Sequence, residues 1–345
     1  MANRPTIEQL AIAAGVSVAT VDRVLNKRAA VRAKTARRVH EAALEIGYHA
    51  SALIGRRVSE ELPRYRLGFL LLQTGKTFYG EFARQLAQAI ADATNFRGVF
   101  TLDHASPQDP DEIAEKMLEL GARCDAVAAV APEHPAVAAA TAALGERGVP
   151  VFALLSDFAP GMRRAYVGVH NGKVGRTAAW MIANSARRTG KAKVALFVGS
   201  HRFHGHEARE MGFRAHFREE APEFHVLETL VNFEDVDVTH KALLELADKH
   251  PDLAGCYVAG GGMEGAISAM RRLEPARRPV MICNELTPLS SAALADKTIT
   301  MVINTPLRAI SAEAVRLMAL AKDGQGASRV ADGYLPFDIH LPESV

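Results

Sequence analysis

The sequence predicts a small helical unit at the N-terminus, followed by a larger α/β unit built from two parallel sheets. Three observations predict this division. Residues 6–48 carry apolar side chains at helical spacing, the chain from residue 66 onward alternates strand-like apolar runs with amphipathic stretches, and the two parts differ in charge. A chain of 345 residues with 48% hydrophobic and 6% aromatic residues is long enough for two or three compact globular units.

Three short helices are predicted within residues 6–48, with a tight turn between the first two. Thr6 and Gln9 have the spacing of a capping box, and Gly15 suits the left-handed end of a helix. Ser17 is a favourable N-cap for the second helix, and the third is predicted over residues 34–46. The apolar positions that face inward at helical spacing are Leu10, Ala11, Ala14, Val21, Val24, Leu25, Val39, Ala42, Ala43 and Ile46.

The order of residues in this stretch resembles the DNA-binding headpiece of the LacI (lactose repressor) family of bacterial transcription regulators. The resemblance rests on A-G-V-S-x-x-T-V-x-R-V-L-N, then V-R-x-K-T-x-x-R-V, then E-x-G-Y. It implies a three-helix helix-turn-helix headpiece and a type I periplasmic-binding-protein-like core of two parallel-sheet lobes. The matching residues are Ala14, Gly15, Val16, Ser17, Thr20, Val21, Arg23, Val24, Leu25, Asn26, Val31, Lys34, Thr35, Arg38, Val39, Gly47 and Tyr48.

The charge distribution agrees with this resemblance. Residues 1–65 carry eleven Lys and Arg against six Asp and Glu, whereas the whole chain has a net charge of only +2. A small basic module on a slightly acidic body is typical of a protein that binds the phosphate backbone of double-stranded DNA. The alternative is an ordinary three-helix surface with solvated charges.

The N-terminal part of the second helix is expected to enter the major groove. By resemblance, the base-facing residues are Val18, Ala19 and Arg23, of which Arg23 can present a bidentate fork to guanine. Asp22 would repel phosphate unless a cation pairs with it, so it fits this surface poorly. The resemblance places the backbone contacts at Ser17, Thr20, Asn26, Val31, Lys34 and Thr35.

Residues 50–65 are predicted to link the headpiece, residues 1–49, to the core. In the family this segment forms a hinge helix that inserts a leucine into the minor groove. Here Arg57 matches that leucine, between Arg56 and Val58, and an arginine can reach into a narrow minor groove instead. A disordered basic linker is the alternative.

The core is predicted over residues 66–345. Ten strand-like runs alternate with helices, which favours two parallel sheets covered on both faces. The predicted lobe one comprises residues 66–170 and 304–325, and the predicted lobe two comprises residues 171–303 and the C-terminal segment. The strands are expected at 66–73, 98–104, 124–131, 149–156, 164–170, 193–200, 224–231, 254–261, 278–285 and 299–305.

Ligands of open α/β sheets bind beyond the carboxyl ends of the strands, and the candidate effector-binding residues were chosen there. By resemblance, Arg209 matches the arginine that reaches ligand hydroxyls in sugar-responsive members; a surface helix charge is the alternative. Gly172 and Gly175 are expected to allow close packing of the helix after the fifth strand. The candidates are Gln73, Phe78, Glu133, Asp157, His170, Asn171, His201, Arg202, Arg209, Gly260, Gly261, Asn284 and Asn304.

This set departs from the sugar-binding pattern of the family. Many relatives carry Asn-Asp where this chain has Gly260 and Gly261, and Asp where it has Asn284 and Glu285. We therefore expect a cleft short of carboxylates, suited to a less hydroxylated or anionic metabolite.

Three other motifs offer alternatives to an effector cleft: a dinucleotide site, a metal site and a catalytic triad. Gly260, Gly262 and Gly265 form G-x-G-x-x-G after a strand, which formally fits a dinucleotide fingerprint, but the resemblance to the family favours a loop that approaches the ligand closely. The run His201, His204, His206 indicates a metal site only weakly, because thiolate or ordered carboxylate partners are missing. Ser200, His201 and Asp157 are not accompanied by a nucleophile elbow.

The sequence thus predicts a repressor that forms a homodimer or a higher assembly, binds a pseudo-palindromic operator and responds to a small effector such as a sugar or polyol. We expect no catalytic residue, cofactor, metal or membrane partner. The start of the chain has no apolar signal region, and Cys124, Cys256 and Cys283 resemble buried thiols, which favours a cytoplasmic, nucleoid-associated protein. The alternative is a nucleotide- or metabolite-processing α/β enzyme with an appended headpiece.

Overall fold

The structure is a computed structural model that describes residues 4–26, 31, 33–60, 62–72, 77–186, 192–322 and 332–345. The chain divides into a smaller unit, Met1–Tyr65 with Ile90–Val99, and a larger unit, Arg66–Ala89 with Phe100–Val345. Within the smaller unit, the Phe96 ring lies 5.4 Å from that of Tyr65, and the Arg97 amide donates to the Pro63 carbonyl. These contacts explain why a short piece of the later chain groups with the N-terminal residues.

The smaller unit contains the predicted helices, here α1 (Ile7–Ala14), α2 (Val18–Asn26) and α3 (Ala33–Glu45). The capping box of Thr6 and Gln9 forms as predicted, and Gly15 ends α1 in the left-handed region at φ 62°. The Arg38 guanidinium donates to the Ala14 carbonyl over 2.7 Å and so satisfies one of the open carbonyls at the end of α1. The cap of α1, the left-handed Gly15 and the bond from Arg38 in α3 together fix the tight turn between α1 and α2.

A fourth helix, α4 (Ser51–Glu60), occupies the predicted linker. Its Ile54 is fully buried with Leu10, Val21 and Val39 in the hydrophobic core of the helical unit. Gly55 lies against the His40 ring, where an added Cβ would come within 2.5 Å of Nε2. Residues 51–60 therefore form a helix that packs on the headpiece, and its entry into the minor groove stays a prediction.

The larger unit contains two sheets. The first has the strand order β12–β5–β4–β3–β1–β2, and β1, β3, β4, β5 and β12 pair in parallel. We call this sheet with its helices lobe one. Its strands are β1 (Arg64–Leu72), β2 (Arg97–Ala105), β3 (Ala126–Ala129), β4 (Val151–Leu154), β5 (Ala165–Val169) and β12 (Gly333–Leu335), and its helices are α5 (Thr77–Ala91), α6 (Pro110–Arg123), α7 (Pro135–Glu146) and α13 (Leu307–Lys322).

The second sheet has the order β13–β11–β10–β9–β6–β7, with β8 also paired to β6, and we call it with its helices lobe two. The predicted strand at 224–231 is two short strands separated by a break, and both pair with β6. The strands are β6 (Ala192–Val198), β7 (Phe224–Val226), β8 (Leu230–Val231), β9 (Leu253–Val258), β10 (Val280–Asn284), β11 (Met301–Asn304) and β13 (Asp338–His340); the helices are α8 (Asn171–Ser185), α9 (His204–Glu220), α10 (Val236–Lys249), α11 (Met263–Arg272) and α12 (Pro288–Ala295), with 3-10 turns at Pro275–Arg277 and Pro342–Ser344.

The chain crosses between the lobes at three places: from β5 to α8, from β11 to α13, and from β12 to β13. The last crossing differs from the prediction that the C-terminal segment belongs to lobe two. Gly333–Leu335 extends the first sheet, whereas Asp338–His340 pairs antiparallel with β11 in the second. The C-terminal segment is divided because β12 pairs with the edge of β5 in the first sheet and β13 pairs with the edge of β11 in the second.

The two sheets have apolar interiors. In lobe one, Phe69, Phe82 and Phe152 are fully buried, and in lobe two Phe197 and Tyr257 are. Cys124, Cys256 and Cys283 are buried free thiols, as predicted. No helix in the described part of the chain is long and apolar enough to cross a membrane. The predicted fold class, a helix-turn-helix headpiece with a two-lobed parallel α/β core, is confirmed.

Candidate functional site

The exposed face of α2 carries the predicted base-reading residues. Val18, Ala19 and Arg23 are exposed, whereas Val21 and Val24 on the opposite face are buried in the headpiece core. The helical repeat produces this division, because residues four apart lie on the same face. An arginine fork and two small apolar side chains are thus presented together on one accessible helix surface.

The predicted backbone contacts surround this surface. The Ser17 hydroxyl accepts from the Thr20 amide over 3.2 Å and lies 2.9 Å from its hydroxyl, so both side chains help to start α2. Asn26 is exposed at the end of α2, and Val31 and Thr35 are half-buried. Lys34 lies in α3, and its side chain is outside the described residues.

Asp22, an acidic residue on the predicted DNA-binding helix, has an intramolecular partner. The Asn26 amide donates to the Asp22 carboxylate over 2.6 Å, one helical turn along α2. The sequence left open whether Asp22 would need a neighbouring cation. The structure gives it an amide donor, which holds the carboxylate beside Asn26 on the helix.

The predicted hinge residues lie on α4. Arg56 is exposed, while Arg57 is half-buried and its Nη1 has no hydrogen-bond partner among the described residues. The side chain of Val58 is outside the described residues. Leu53, one turn earlier than Arg57, is 44% exposed although it is apolar. This helix therefore offers both cationic and apolar side chains at its surface.

A cavity of about 300 Å³ lies between the two lobes, beyond the carboxyl ends of their strands. Leu72 and Leu155 reach it from the ends of β1 and β4, and Gly199, Gly260 and Glu285 from the ends of β6, β9 and β10. This position is the one expected for the ligand of an open α/β sheet, and the volume fits a small molecule.

Arg209 and Asn171, both predicted, form one side of the cavity. The Arg209 Nε donates to Asn171 Oδ1 over 2.7 Å, and Nη1 donates to the Ala259 carbonyl over 2.6 Å. Close packing of α8 and α9 brings them together, since a Cβ at Gly175 would come within 1.9 Å of the Arg209 carbonyl oxygen. Because Asn171 is the first residue of α8, Arg209 is tied to the crossing from lobe one to lobe two.

Glu285 forms a second link to a crossing. Its carboxylate accepts from the Thr305 amide at 3.1 Å and from the Thr305 hydroxyl at 2.6 Å. Burial raises the pKa of Glu285, while the Thr305 hydrogen bonds and the Arg209 charge oppose that rise. Thr305 directly follows β11, where the chain returns to lobe one. Glu285 was noted in the sequence only as a departure from the family pattern and was not chosen as an effector contact.

His206 and Glu234 occupy the space beside the glycines. The sequence indicated His206 only as part of a weak metal motif, and it did not indicate Glu234. The His206 Nε2 lies 4.0 Å from the Glu234 carboxylate, and a Cβ at Gly260 would come within 2.8 Å of that Nε2. Burial lowers the pKa of His206 to about 4, so the ring is neutral at pH 7. A Cβ at Gly261 would likewise lie 2.8 Å from the Glu234 Cβ. The glycines thus make room for two titratable side chains.

Aromatic side chains complete the cavity. Phe78 was predicted, and its ring meets that of Tyr79 edge to face at 5.2 Å. Burial and the charges of Glu234 and Glu285 raise the pKa of Tyr79 well above its ordinary value. Phe203 and Phe233 also line the cavity, and neither was predicted.

Four of the cavity residues, Leu155, Phe233, Glu234 and Glu285, have positive φ without being glycine. Such backbone conformations are unfavourable and tend to occur at functional sites. A sequence pattern gives no signal for them, which is one reason why Glu234 and Phe233 were missed.

Several other predicted residues also line the cavity, but one of them uses its polar group for hydrogen bonds within the protein. Gly260 and Gly261 line it as expected. Asn284 does so too, but its Oδ1 accepts from the Tyr257 hydroxyl at 2.7 Å and its Nδ2 donates to the Ile303 carbonyl. The Asn284 amide therefore holds neighbouring strands together. Gln73 lies outside the described residues.

Asp157, Glu133 and His170 do not lie in the cavity wall, which corrects the prediction for all three. Asp157 forms an ion pair with the buried Arg163, and that guanidinium also holds Asp332. The Glu133 carboxylate accepts from the Ala159 amide over 2.8 Å. His170 caps α8 and lies on a separate groove; all three serve the loops at the strand ends.

His201, Arg202 and Asn304 are also outside the cavity wall. His201 lies 3.6 Å from Glu210, and Arg202 is exposed while its carbonyl accepts from the Glu133 amide. The Asn304 side chain accepts from the Leu286 amide over 3.0 Å and is used to connect two loops. These residues were predicted because they follow the carboxyl ends of strands, but their contacts lie outside the cavity wall.

The expectation of a cleft short of carboxylates is wrong. Glu234, Glu264 and Glu285 all line the cavity, whereas Arg209 is the one guanidinium among its described lining residues. The error arose because reasoning from strand ends covered neither the loop after β8, which carries Glu234, nor the first turn of α11, which carries Glu264. An anionic metabolite therefore does not suit this cavity.

The remaining motifs have structural explanations. Gly262 starts α11 at φ 88°, and a Cβ at Gly265 would come within 1.9 Å of the Val236 carbonyl oxygen, so G-x-G-x-x-G serves helix packing and side-chain approach. The described residues contain no group of three or more His, Cys, Asp or Glu that could hold a metal ion. Asp157 and His201 have other partners, Arg163 and Glu210, which leaves no support for a catalytic triad with Ser200.

Comparison with known proteins adds two family matches. Residues 67–326 match the periplasmic binding protein domain, and residues 6–51 match the bacterial regulatory proteins of the lacI family. A curated relative, described as an uncharacterized HTH-type transcriptional regulator in the aml 5′ region of Streptomyces limosus, is 27% identical over 250 residues; the match covers 70% of this chain and 68% of the relative.

Solved structures support the fold of the core. A solute-binding protein of an ABC transporter from Burkholderia graminis, in complex with D-arabinose, has a TM-score of 0.72 at 17% identity and covers 80% of this chain and 95% of its own. A periplasmic solute-binding protein from Actinobacillus succinogenes with bound D-allose has the same TM-score at 16% identity, covering 81% and 98%. With the headpiece and the cavity, these matches establish that the chain belongs to the periplasmic binding protein domain family, carries a DNA-binding domain of the lacI family of bacterial regulatory proteins, and is a ligand-responsive DNA-binding regulator.

Proposed function

We propose that this regulator is a cytoplasmic homodimeric repressor that binds a pseudo-palindromic operator and releases it when a small metabolite enters the cavity between the lobes. The observation that carries the proposal is the pair of contacts that join cavity side chains to crossings, Arg209 to Asn171 and Glu285 to Thr305. A ligand that touches Arg209 or Glu285 acts on the segments that set the angle between the lobes. Binding and lobe angle are therefore linked.

In this proposal, Arg23 reads a guanine, and Val18 and Ala19 contact neighbouring bases. The exposed face of α2 supports these roles, since a bidentate arginine is the commonest specific contact in the major groove. A two-fold dimer presents two such helices and so favours a pseudo-palindromic site. The backbone contacts proposed from the family are Ser17, Thr20, Asn26, Val31, Lys34 and Thr35.

We further infer that α4 contributes to DNA binding as a hinge. The unpartnered Nη1 of Arg57 supports this role, because a buried donor gains when it meets an acceptor such as a phosphate or a base edge. Arg56, exposed on the same helix, adds positive charge. Arginines inserted into a narrow minor groove favour A·T-rich sequence at that position.

For the cavity, we propose a metabolite of the sugar or polyol type as the effector. Two of the structural neighbours contain D-arabinose and D-allose, and the cavity of about 300 Å³ has room for a single small ring. Phe78, Asn171, Arg209, Gly260, Gly261 and Asn284 remain in the proposed site, together with Tyr79, His206, Glu234, Glu285 and Thr305. We assign no enzymatic role, so the ligand should be recovered unchanged after incubation.

The test begins with the full-length protein and a pool of random duplexes, from which bound sequences are selected at a stated salt concentration. An enriched palindrome supports the proposal, and metabolite fractions that lower affinity for that palindrome identify the effector. A chain that enriches no sequence at any salt concentration, with or without metabolites, would refute it.

Arg23→Ala and Arg23→Lys sharpen the DNA assignment. We expect Arg23→Ala to relax the base preference at one position of each half-site and to weaken binding by about 1–3 kcal/mol per contact. Arg23→Lys keeps the charge but removes the fork, so it should lose the same base preference while retaining more overall affinity. Uniform weakening on all sequences by both variants would make Arg23 a backbone contact instead.

A further inference from the structure

We propose that Tyr166 is a positioning residue for the ligand response, whose hydroxyl sets the place of Asn171, and through it that of Arg209, at the crossing from lobe one to lobe two. The inference rests on the proposed function, since it names the residue that connects the same cavity to the lobe angle. Tyr166 is not among the described residues that line the cavity, so it acts only through its neighbours.

The first observation is where the Tyr166 hydroxyl lies. Tyr166 is near the start of β5 and is 2% exposed. Its side chain runs along its own strand and passes over Gly168, since a Cβ at Gly168 would come within 2.3 Å of the hydroxyl oxygen. The hydroxyl therefore reaches the end of β5, where the chain crosses to α8.

The second observation is that this hydroxyl contacts groups from three parts of the chain. It lies 2.9 Å from the carbonyl oxygen of Val169, the last residue of β5, and 3.1 Å from that of Leu155, which follows β4. It also accepts from the Nδ2 of Asn171, the first residue of α8, over 3.2 Å. Leu155, Val169 and Asn171 all line the cavity, so one oxygen outside the wall connects three of the wall residues.

The third observation is that the Tyr166 hydroxyl has one proton for two carbonyl groups. The Leu155 carbonyl also accepts from the Asn171 Nδ2 over 3.1 Å, so it keeps a donor while the phenol proton is directed to Val169. When Asn171 moves away, the phenol proton satisfies Leu155 instead, because a partly buried carbonyl group without a donor is unfavourable. Two hydrogen-bond arrangements of similar length are therefore available, one for each position of Asn171.

The fourth observation is the connection to Arg209. The Asn171 Oδ1 accepts from the Arg209 Nε over 2.7 Å, and the nitrogen of the same amide donates to Leu155 and Tyr166. Because the amide is one rigid plane, a ligand that displaces the Arg209 guanidinium turns both ends of it together. The space around the amide is small, since a Cβ at Gly205 would come within 3.2 Å of the Nδ2. Movement of Arg209 thus changes the bonds of the Tyr166 hydroxyl.

The fifth observation is that Tyr166 also holds the last crossing. Its backbone amide donates to Asp332 Oδ1 over 2.9 Å, and the same carboxylate oxygen accepts from the Arg163 Nη1 over 2.7 Å. Asp332 directly precedes β12, and the chain crosses to lobe two after that strand. The side chain of Tyr166 therefore contacts the first crossing and its backbone contacts the last, so a change at this one residue acts on two of the three crossings.

The experiment compares the full-length wild type with Tyr166→Phe, which keeps the ring and removes the hydroxyl. The probe is the duplex that the wild type enriches from the random pool, and amide hydrogen exchange is measured without it and at a saturating concentration of it. The reporter is the first turn of α8, where the amides of Lys173 and Val174 donate to the His170 carbonyl. Because coupling is reciprocal, DNA acts on the same crossing as the ligand. We expect the duplex to change exchange there by at least about fivefold in the wild type, and by less than about twofold in the variant.

Two further variants separate positioning from stability. Gly168→Ala keeps the Tyr166 hydroxyl but occupies its place, so it should reduce the effect of the duplex as Tyr166→Phe does. Tyr257→Phe is the matched control, since it removes a fully buried hydroxyl that donates to Asn284 over 2.7 Å within the sheet of lobe two. It should lower the unfolding temperature but keep the effect of the duplex on α8. A purely structural role of Tyr166 predicts this same result for Tyr166→Phe.

The inference is overturned if Tyr166→Phe or Gly168→Ala retains the full effect of the duplex, or if Tyr257→Phe loses it as well. It is also overturned if the duplex leaves exchange at α8 unchanged in the wild type. In each of these cases the protein still selects a duplex, so the proposed function stands. A protein that selects no duplex refutes the proposed function, and the inference with it.

Discussion

The two walls of the cavity differ in chemistry. Lobe one contributes Leu72, Phe78, Tyr79 and Leu155, and no ionised side chain among its described lining residues. Lobe two contributes the charged and titratable side chains, which are His206, Arg209, Glu234, Glu264 and Glu285. The difference indicates that lobe two recognises the polar groups of a ligand, while lobe one closes an apolar surface over it. The four predictions below test that division of roles.

The largest effect is expected for Arg209→Ala in the charged wall. The substitution leaves Asn171 Oδ1 and the Ala259 carbonyl without their donor and removes the positive charge that opposes Glu285. A hydrogen bond made by a charged group is worth about 1.5–3 kcal/mol, and we expect the loss of these two to lower ligand affinity by about a hundredfold. Titration calorimetry with the metabolite that releases the operator measures the loss.

Arg218→Ala is the control for this prediction. Arg218 lies on the same helix, α9, but its side chain is 72% exposed and pairs with Glu219 at the surface. We expect ligand binding to change little, because exposed pairs contribute at most about 1 kcal/mol. Equal losses in the two arginine variants would mean that the helix, and not the Arg209 contact, determines binding.

The second effect is a dependence of stability on pH that originates in the same wall. Unfolded His206 takes up a proton near its ordinary pKa of 6.5, whereas the folded side chain does so only near pH 4. The folded protein therefore loses stability as the pH falls from about 6.5 to about 4, by up to about 3 kcal/mol. Glu285, with its raised pKa, contributes the opposite slope as the pH falls.

The contribution of His206 is separated by difference. Denaturant unfolding of the wild type and of His206→Gln is compared between pH 4 and pH 7, and the variant should lose less stability on acidification. His225→Gln, at an exposed position in β7, should follow the wild type. A His206→Gln curve parallel to the wild-type curve would contradict the predicted cause.

The third effect concerns the apolar wall. Phe78→Ala removes a ring that lines the cavity and packs edge to face on Tyr79. Such a ring pair contributes about 0.5–1.5 kcal/mol beyond burial, so ligand affinity should fall by roughly tenfold, with operator affinity unchanged in the absence of ligand. Trp180→Ala, at a 52% exposed aromatic residue outside the cavity, is the control. If Phe78→Ala lowered ligand affinity more than Arg209→Ala does, the apolar wall and not the charged wall would contribute most to ligand binding.

The smallest effect is expected at Thr305, which follows β11 at a crossing between the lobes and bonds Glu285 of the charged wall. Thr305→Val removes the hydroxyl that donates to Glu285 but keeps the backbone amide bond. The lost hydrogen bond is worth about 1 kcal/mol. We expect the substitution to lower the ratio of the operator affinity without ligand to that with ligand. The affinity for the ligand itself should change less. Gel-shift titrations at fixed ligand concentrations measure that ratio. A ratio equal to that of the wild type would exclude Thr305 from the coupling.

The headpiece was predictable because its structure depends on neighbours along the chain. Thr6 and Gln9 are three residues apart, and Gly15 adopts the left-handed conformation that ends α1 at the turn. The alternating strands and helices of the core were also predictable, since a buried strand needs a continuous apolar run. Residues adjacent in sequence carry this information, and so the fold class and the helix face of Arg23 followed from the sequence.

The cavity was less predictable because it combines short loops from distant parts of the chain. Glu234 follows a two-residue strand, β8, that the sequence merged with β7, and its left-handed backbone has no sequence signal. Tyr79 stands beside the predicted Phe78 but resembled an ordinary helix residue. One usable signal was present at Gly199, Gly260 and Gly261, where missing Cβ atoms leave space for His206 and Glu234.

The division of the C-terminal chain between the lobes also protects both sheets from association with other molecules. Without β12 and β13, the buried strands β5 and β11 would become exposed edges with unpaired amides and carbonyls. Apolar edge strands of this kind recruit further strands and promote aggregation. Removal of residues 332–345 should therefore cause precipitation during expression.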